Sequence, residues 1–173
     1  IIAAADGVNT TSFFNGTIDE VRVWGAALTP SQLRYVMNQE LIKHSDNTVN
    51  GSILPQTVTN NEVKSIPWSS LKAYYPMSTY TYTNAKDKSD NDYTAALKNL
   101  ITVDYQTAPV PYVSAADGDW STDTTWKNSD VQDLPYSFSI VDGTTRVGWN
   151  IVRTSHNITT TSNRVVLGLN VQS

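Results

Sequence analysis

The stretch from Phe13 to Leu33 leaves this chain little conformational freedom. Asn15-Gly16 is a strong hairpin-turn signal, because both residues tolerate the positive φ that tight turns need. Ile18 to Trp24 follows with the alternation of a β-strand. Val21 and Val23 fall on one face, and Glu20 and Arg22 on the other, where they are expected to pair with neighbours on an exposed sheet surface. A helix comes next. Thr29 fits the N-cap, Pro30 the first helical position, and Gln32 completes a capping box. Leu28 and Leu33 stand at the spacing of a hydrophobic staple. Leu33, Val36, Met37 and Leu41 form one apolar stripe at helical period, which reads as core packing.

The rest of the 173 residues points the same way. Only 16% of the residues are charged, while Thr, Ser and Asn are abundant. Thr, Val and Tyr favour strands, and Asn, Asp and Ser favour turns, so a mainly β protein with long polar loops is expected. Residues 43–66 are polar, with Asn50-Gly51 and Pro55 as turn signals, and read as a linker or long loop. Leu71 to Met77 is the next strand candidate. Beyond Tyr105, Pro109 and Pro111 stiffen the chain. Short β-like runs then occupy 137–141, 145–152 and 164–171, with Asp142-Gly143 as a hairpin turn between the first two.

Several function classes are disfavoured. The net charge is −4 with no run of Lys or Arg, so phosphate-neutralising contacts to nucleic acid or an anionic membrane surface are not expected. Cys is absent, which excludes a disulfide scaffold and thiolate metal sites. No window approaches the ~18 apolar residues of a membrane span, so membrane insertion is not expected. The chain opens on Ile1-Ile2, and targeting information is expected to lie elsewhere.

Three resemblances organise the chain. Phe14-Asn15-Gly16-Thr17-Ile18-Asp19-Glu20-Val21-Arg22-Val23-Trp24, followed by Leu28-Thr29-Pro30-Ser31-Gln32-Leu33, resembles the closing motif of laminin-G-like, concanavalin A-like jelly rolls. Leu71-Lys72-Ala73-Tyr74-Tyr75-Pro76-Met77, with Asp87-x-Ser89-Asp90-Asn91 and Ala96-Leu97-Lys98-Asn99, is similar to the opening motif of such domains, with Asp90 and Ala96 in place of glycines. Residues 115–173 resemble segments that lead into right-handed β-helices. They carry Asp117-Gly118-Asp119-Trp120, Thr124-Thr125-Trp126, Trp149-Asn150-Ile151-Val152 and Leu167-Gly168-Leu169-Asn170-Val171. The combination looks like very large surface adhesins of gliding Bacteroidota. It implies residues 1–45 as the end of a jelly roll, 46–70 as a linker, 71–113 as a degenerate opening segment, and 114–173 as a Trp-containing β-module at the start of a β-helix-like or sandwich region. It also implies a chain cut from a larger protein, located at the cell surface and exported by the type IX secretion machinery through a region outside this stretch.

No enzyme is expected. Glucanases of the same superfamily place carboxylates at alternating positions on one strand. Here Asp19 and Glu20 are adjacent and diverge, and Glu occurs only at 20, 40 and 62. The two His, His44 and His156, lie in no recognisable nucleophile motif; Ser155 and His156, as neighbours on a strand, diverge. No organic cofactor is expected. Calcium is the one metal the sequence suggests, with Asp87, Asp90 and Asp92 as hard oxygen donors, although the EF-hand order fails. Trp120, Trp126, Tyr74 and Tyr75 are candidates to stack on surface glycans; packing beneath loops is the competing reading for them, as it is for Tyr80 and Tyr82. The leading expectation is therefore a non-enzymatic adhesin segment for attachment or gliding. The alternative is an accessory carbohydrate-binding region of a secreted polysaccharide-degrading enzyme.

Overall fold

The structure is a computed structural model, and it describes residues 13–57, 63–78, 81, 83–102, 111–127, 129 and 134–172. It is mainly β, as the composition leads one to expect, and Pro30–Met37 is an α-helix within the described residues. No helix among the described residues is long and apolar enough to cross a membrane.

The first half is built on two antiparallel pairs. Strand β1 (Val21–Trp24) leads into helix α1 (Pro30–Met37), then β2 (Leu41–Lys43), β3 (Val49–Gly51) and β4 (Leu71–Tyr75). β2 and β3 form a hairpin, with Leu41 opposite Gly51. β1 pairs with β4, with Arg22 opposite Tyr74 and a slip between Val23 and Trp24. The strand before the helix therefore lies beside the Leu71–Tyr75 strand, within one layer.

The helix is capped as its sequence dictates. Thr29 Oγ1 accepts from the Gln32 amide at 3.2 Å, and Gln32 Oε1 accepts from the Thr29 amide at 2.9 Å. Its buried face differs from the expected stripe, because the helix ends at Met37 and Leu41 belongs to β2. Tyr35 and Val36 are buried, while Leu33 is 52% exposed. The Tyr35 hydroxyl sets this orientation. It donates to the Leu54 carbonyl and accepts from the Gly51 amide, both at 2.8 Å. Burial pushes that phenol up to about 12, with the bond from Gly51 opposing.

Residues 46–70, expected as a linker, supply much of the core. Val49, Val63, Ile66 and Trp68 are buried with Tyr35, Val36, Leu41, Leu71 and Tyr74. Backbone bonds hold the segment in place: Val49 N–H donates to the Ile66 carbonyl and Trp68 N–H to that of Asn47, each at 2.8 Å. The apolar residues there are isolated among turn formers, so no period reveals them. Gly51 has a steric role: a Cβ at that position would lie 2.2 Å from Gln39 Cδ. The Gln39 amide is buried and bonded to the Tyr35 carbonyl and to the amides of Ile53 and Leu54.

The second half winds rather than folds back. A small hairpin, β5 (Asn84–Ala85) with β6 (Ala95–Ala96), precedes it. Then β7 (Tyr112–Val113), β9 (Ile151–Thr154) and β11 (Gly168–Val171) stack in parallel, with Tyr112, Val152 and Leu169 in register. β8 (Gly118–Asp119) and β10 (Ile158–Thr159) stack in parallel beside them. Each turn of chain thus lays a strand, a corner and a second strand over the turn before. Trp120, Trp126 and Val152 form the core under the corners, with Tyr112, Leu134, Ile158 and Val166 packed against it. Asp142-Gly143 makes the expected hairpin: Ser139 N–H donates to the Thr145 carbonyl at 2.8 Å, and Gly143 has φ 64°. The arms, expected as strands, hold only the isolated bridge Phe138–Arg146, because Ile140 and Val141 find no surface to cover and stay exposed.

The two halves share packing. Leu54 and Leu167 both lie against the first core. Gly168 permits this closeness, since a Cβ there would stand 2.8 Å from Leu54 Cδ2.

Candidate functional site

The charged face of β1 points inward, opposite to the sequence expectation. Glu20 is 8% exposed, whereas Val23 is 47% exposed. Glu20 turns inward just before β1 with φ 52°, and Arg22 follows it; which charges are buried was decided by partners far away in sequence. Arg22 forms an ion pair with Glu20, donates to the Val36 carbonyl at 2.6 Å and to that of Gln39 at 2.7 Å, and lies 5.4 Å over the Tyr74 ring. It thereby caps the C-terminal end of α1, where carbonyls lack intrahelical donors. The Tyr74 hydroxyl donates to Glu20 Oε2 at 3.0 Å and accepts from the Leu41 amide at 3.0 Å. Burial raises the Glu20 carboxyl above its ordinary value, and Arg22 opposes it only in part. Asp19 accepts from the Glu20 amide at 2.9 Å, orienting the strand entry. The conspicuous D-E-V-R motif is therefore a latch between strand, helix and β4.

The four expected glycan-stacking residues do not form a surface. Trp120 and Trp126 pack edge to face, with centroids 5.0 Å apart and planes at 73°. Trp126 Nε1 donates to the Trp120 carbonyl at 2.8 Å and Trp120 Nε1 to that of Pro135 at 2.7 Å, so faces and polar handles are used internally. Tyr74 is buried in the other core. Tyr75 is half-buried, and its hydroxyl donates to the Tyr93 carbonyl at 2.6 Å. Aromatic size explains the outcome: a small β-module needs its largest rings for packing. Tyr80 and Tyr82 lie outside the described residues.

The acidic loop fits poorly to calcium. Asp87 Oδ1 accepts from the amides of Tyr74 and Ser89, each at 2.8 Å. Its Oδ2 accepts from the Ser89 hydroxyl at 2.8 Å and the Tyr93 amide at 3.0 Å. Burial alone would raise the Asp87 carboxyl, but these bonds together hold it below the usual range. Asp90 is exposed and engaged by Lys43 Nζ at 2.8 Å, and Asp92 is exposed with φ 53°. Among the described residues no three acidic or imidazole groups gather as a metal would require. The loop is a tie onto β4. We expect Asp87→Ala to cost about 2–3 kcal/mol, since several buried donors lose their acceptor at once. Hydrogen exchange at the amides of Tyr74, Ser89 and Tyr93 measures it. Because the folded carboxyl titrates low, its contribution is present above the unfolded pKa of ~3.9 and fades as pH falls through the folded value. Added calcium is expected to leave the wild-type melting temperature unchanged.

His156 meets a partner that sequence adjacency hid. Its Nδ1 lies 2.7 Å from Ser114 Oγ, which also accepts from the Ser155 amide at 3.1 Å. Ser114 is buried, so this hydroxyl is out of reach of a substrate. Asp117, which could have oriented an imidazole, instead accepts from the Asn157 backbone and side-chain amides, and these bonds hold its carboxyl below the usual range. The group staples one turn of the parallel coil to the next.

A site that the sequence did not suggest lies where the two halves meet. A cleft of about 440 Å³ is lined by Arg34 of α1 and by Tyr136, Arg146, Gly148 and Trp149 of the coil. The Arg34 guanidinium stands 4.8 Å over the Trp149 ring. That of Arg146 stands 3.7 Å over Phe138 and 5.4 Å over Tyr136, and donates to the Tyr136 carbonyl at 3.1 Å. Asn38 Nδ2 donates to the Trp149 carbonyl at 3.0 Å and fixes the wall against the helix. Among the described residues, neither arginine has a carboxylate partner. One signal was present: Arg34 has no acid three or four residues away on its helix. The pairing with Trp149 spans too much sequence to be read. No family model matches the chain, and neither a curated protein nor a solved structure matches it significantly.

Proposed function

We propose that the chain is a non-enzymatic, extracellular segment of a large cell-surface adhesin, serving attachment or gliding and touching surface glycans. The observation that supports this reading is the parallel stacking of β7, β9 and β11 beside β8 and β10, coupled to the antiparallel layer through Leu54 and Leu167. A parallel coil extends by adding turns, each contacting its neighbours, which suits a stalk more than a catalytic shell. The polar groups drawn into both cores hold the backbone together, as a spacer under tension needs.

Fab fragments raised against the protein are expected to decorate intact, unpermeabilised cells of the source organism and to reduce their attachment to a polysaccharide film. Decoration that appears only after permeabilisation would overturn the proposal.

A further inference from the structure

We infer that the cleft between α1 and the coil binds a carboxylated polysaccharide, one built from uronic-acid sugars; this rests on the reading of the chain as a glycan-contacting surface segment. Three observations converge. The first is charge. In a protein of net charge −4, two guanidinium groups that have no carboxylate partner among the described residues face one cleft. Uncompensated positive charge placed in a concave site draws an anion. The second is shape. A guanidinium presents paired donors in a plane and matches a carboxylate with two parallel bonds. Arg34 and Arg146 are stacked on Trp149, Phe138 and Tyr136, so their planes are held before any ligand arrives. Pre-ordering of this kind lowers the entropy cost of binding.

The third observation is the wall between them. Trp149, Tyr136 and Val165 give apolar surface. Sugar rings offer apolar C–H faces along with polar edges, so a chain of uronic acids meets both wall and arginines. A cleft of about 440 Å³ lies within the ~300–1,000 Å³ span of small-ligand sites, enough for a short run of sugar rings. A nucleic acid would place many more phosphates against an acidic protein, and a free inorganic anion would leave the aromatic wall unused.

The test titrates the full chain with an oligogalacturonate while NMR follows the Trp149 indole. Saturable shifts are expected, weakening as salt is raised because the contacts are charge-assisted. Arg34→Gln and Arg146→Gln are each expected to lower affinity by about tenfold or more. Both side chains are exposed, so the variants stay folded, with an unfolding midpoint lowered only slightly by the lost ring contacts. Arg34→Lys retains the charge without the planar fork and is expected to fall between wild type and Arg34→Gln. The methyl-esterified oligosaccharide, which lacks the charge, is expected not to bind. Equal binding of the methyl ester, unchanged affinity in the Arg34→Gln/Arg146→Gln variant, or equal or tighter binding of an oligoglutamate peptide would each overturn the inference. Surface decoration by the Fab fragments would survive any of those results, so failure of the cleft and failure of the adhesin reading are separable.

Discussion

Replacing Arg22 with Met is expected to destabilise the protein by about 3–5 kcal/mol, the cost of leaving a buried carboxylate without its cation. Glu20 would keep the Tyr74 hydroxyl but lose its counter-charge, and the carbonyls of Val36 and Gln39 would lose their donor. The effect has a pH signature. Burial already raises the folded Glu20 carboxyl, and removing Arg22 raises it further. A carboxyl with a raised folded pKa costs stability above the unfolded value and not below it. The deficit is therefore largest at neutral pH and shrinks as pH falls toward ~4. Urea unfolding across that range measures it. Glu20→Gln combined with Arg22→Met is expected to recover part of the loss at neutral pH, and a deficit independent of pH would mean the ion pair is not its source.

Trp126→Ala is expected to cost about 3–5 kcal/mol through the cavity it leaves in the second core. The ring also supplies the edge contact to Trp120 and the indole donor to the Trp120 carbonyl. Trp126→Phe keeps an aromatic ring but removes that donor, so a smaller loss of about 1–3 kcal/mol is expected. Near-ultraviolet circular dichroism reports the pair directly, since two indoles 5.0 Å apart couple. Thermal unfolding of the alanine variant is expected to soften the coil while the first core holds longer. At temperatures where Trp126→Phe remains folded, its retention of oligogalacturonate is expected to match wild type, because the indole sits in the core and not in the cleft.

What was legible in the sequence was local. The capping box at Thr29 and Gln32 and the turn at Asp142-Gly143 depend on near neighbours and are present, and the strand expected over Ile18 to Trp24 forms in its second half, Val21–Trp24. The inward face of β1 was not legible, because Glu20 and Arg22 are buried only through Tyr74 and the end of α1. The role of residues 46–70 was hidden for a related reason: four scattered apolar residues make a core only when Tyr35, Val36, Leu41, Leu71 and Tyr74 close around them. At the candidate site, the aromatic residues singled out were the ones with the strongest motifs, and motif strength here tracks packing. Arg34, Tyr136 and Arg146 drew no attention, and Trp149 did so only as part of the coil, because no motif joins the four; the meeting of two halves does.

The latch at Glu20, Arg22 and Tyr74 also sets an order of events on a chain that emerges from one end. Tyr74 lies 54 residues beyond Glu20, so the inward charges of β1 have no partner until β4 has appeared. Loop closure over that span precedes any gain from the buried pair. In the coil, Tyr112 waits for Val152 much as Glu20 waits for Tyr74, but β11 then needs only the nearby β9, so later closures are short. A chain released from one end thus assembles its first layer in a single step once β4 is out, and then lengthens turn by turn.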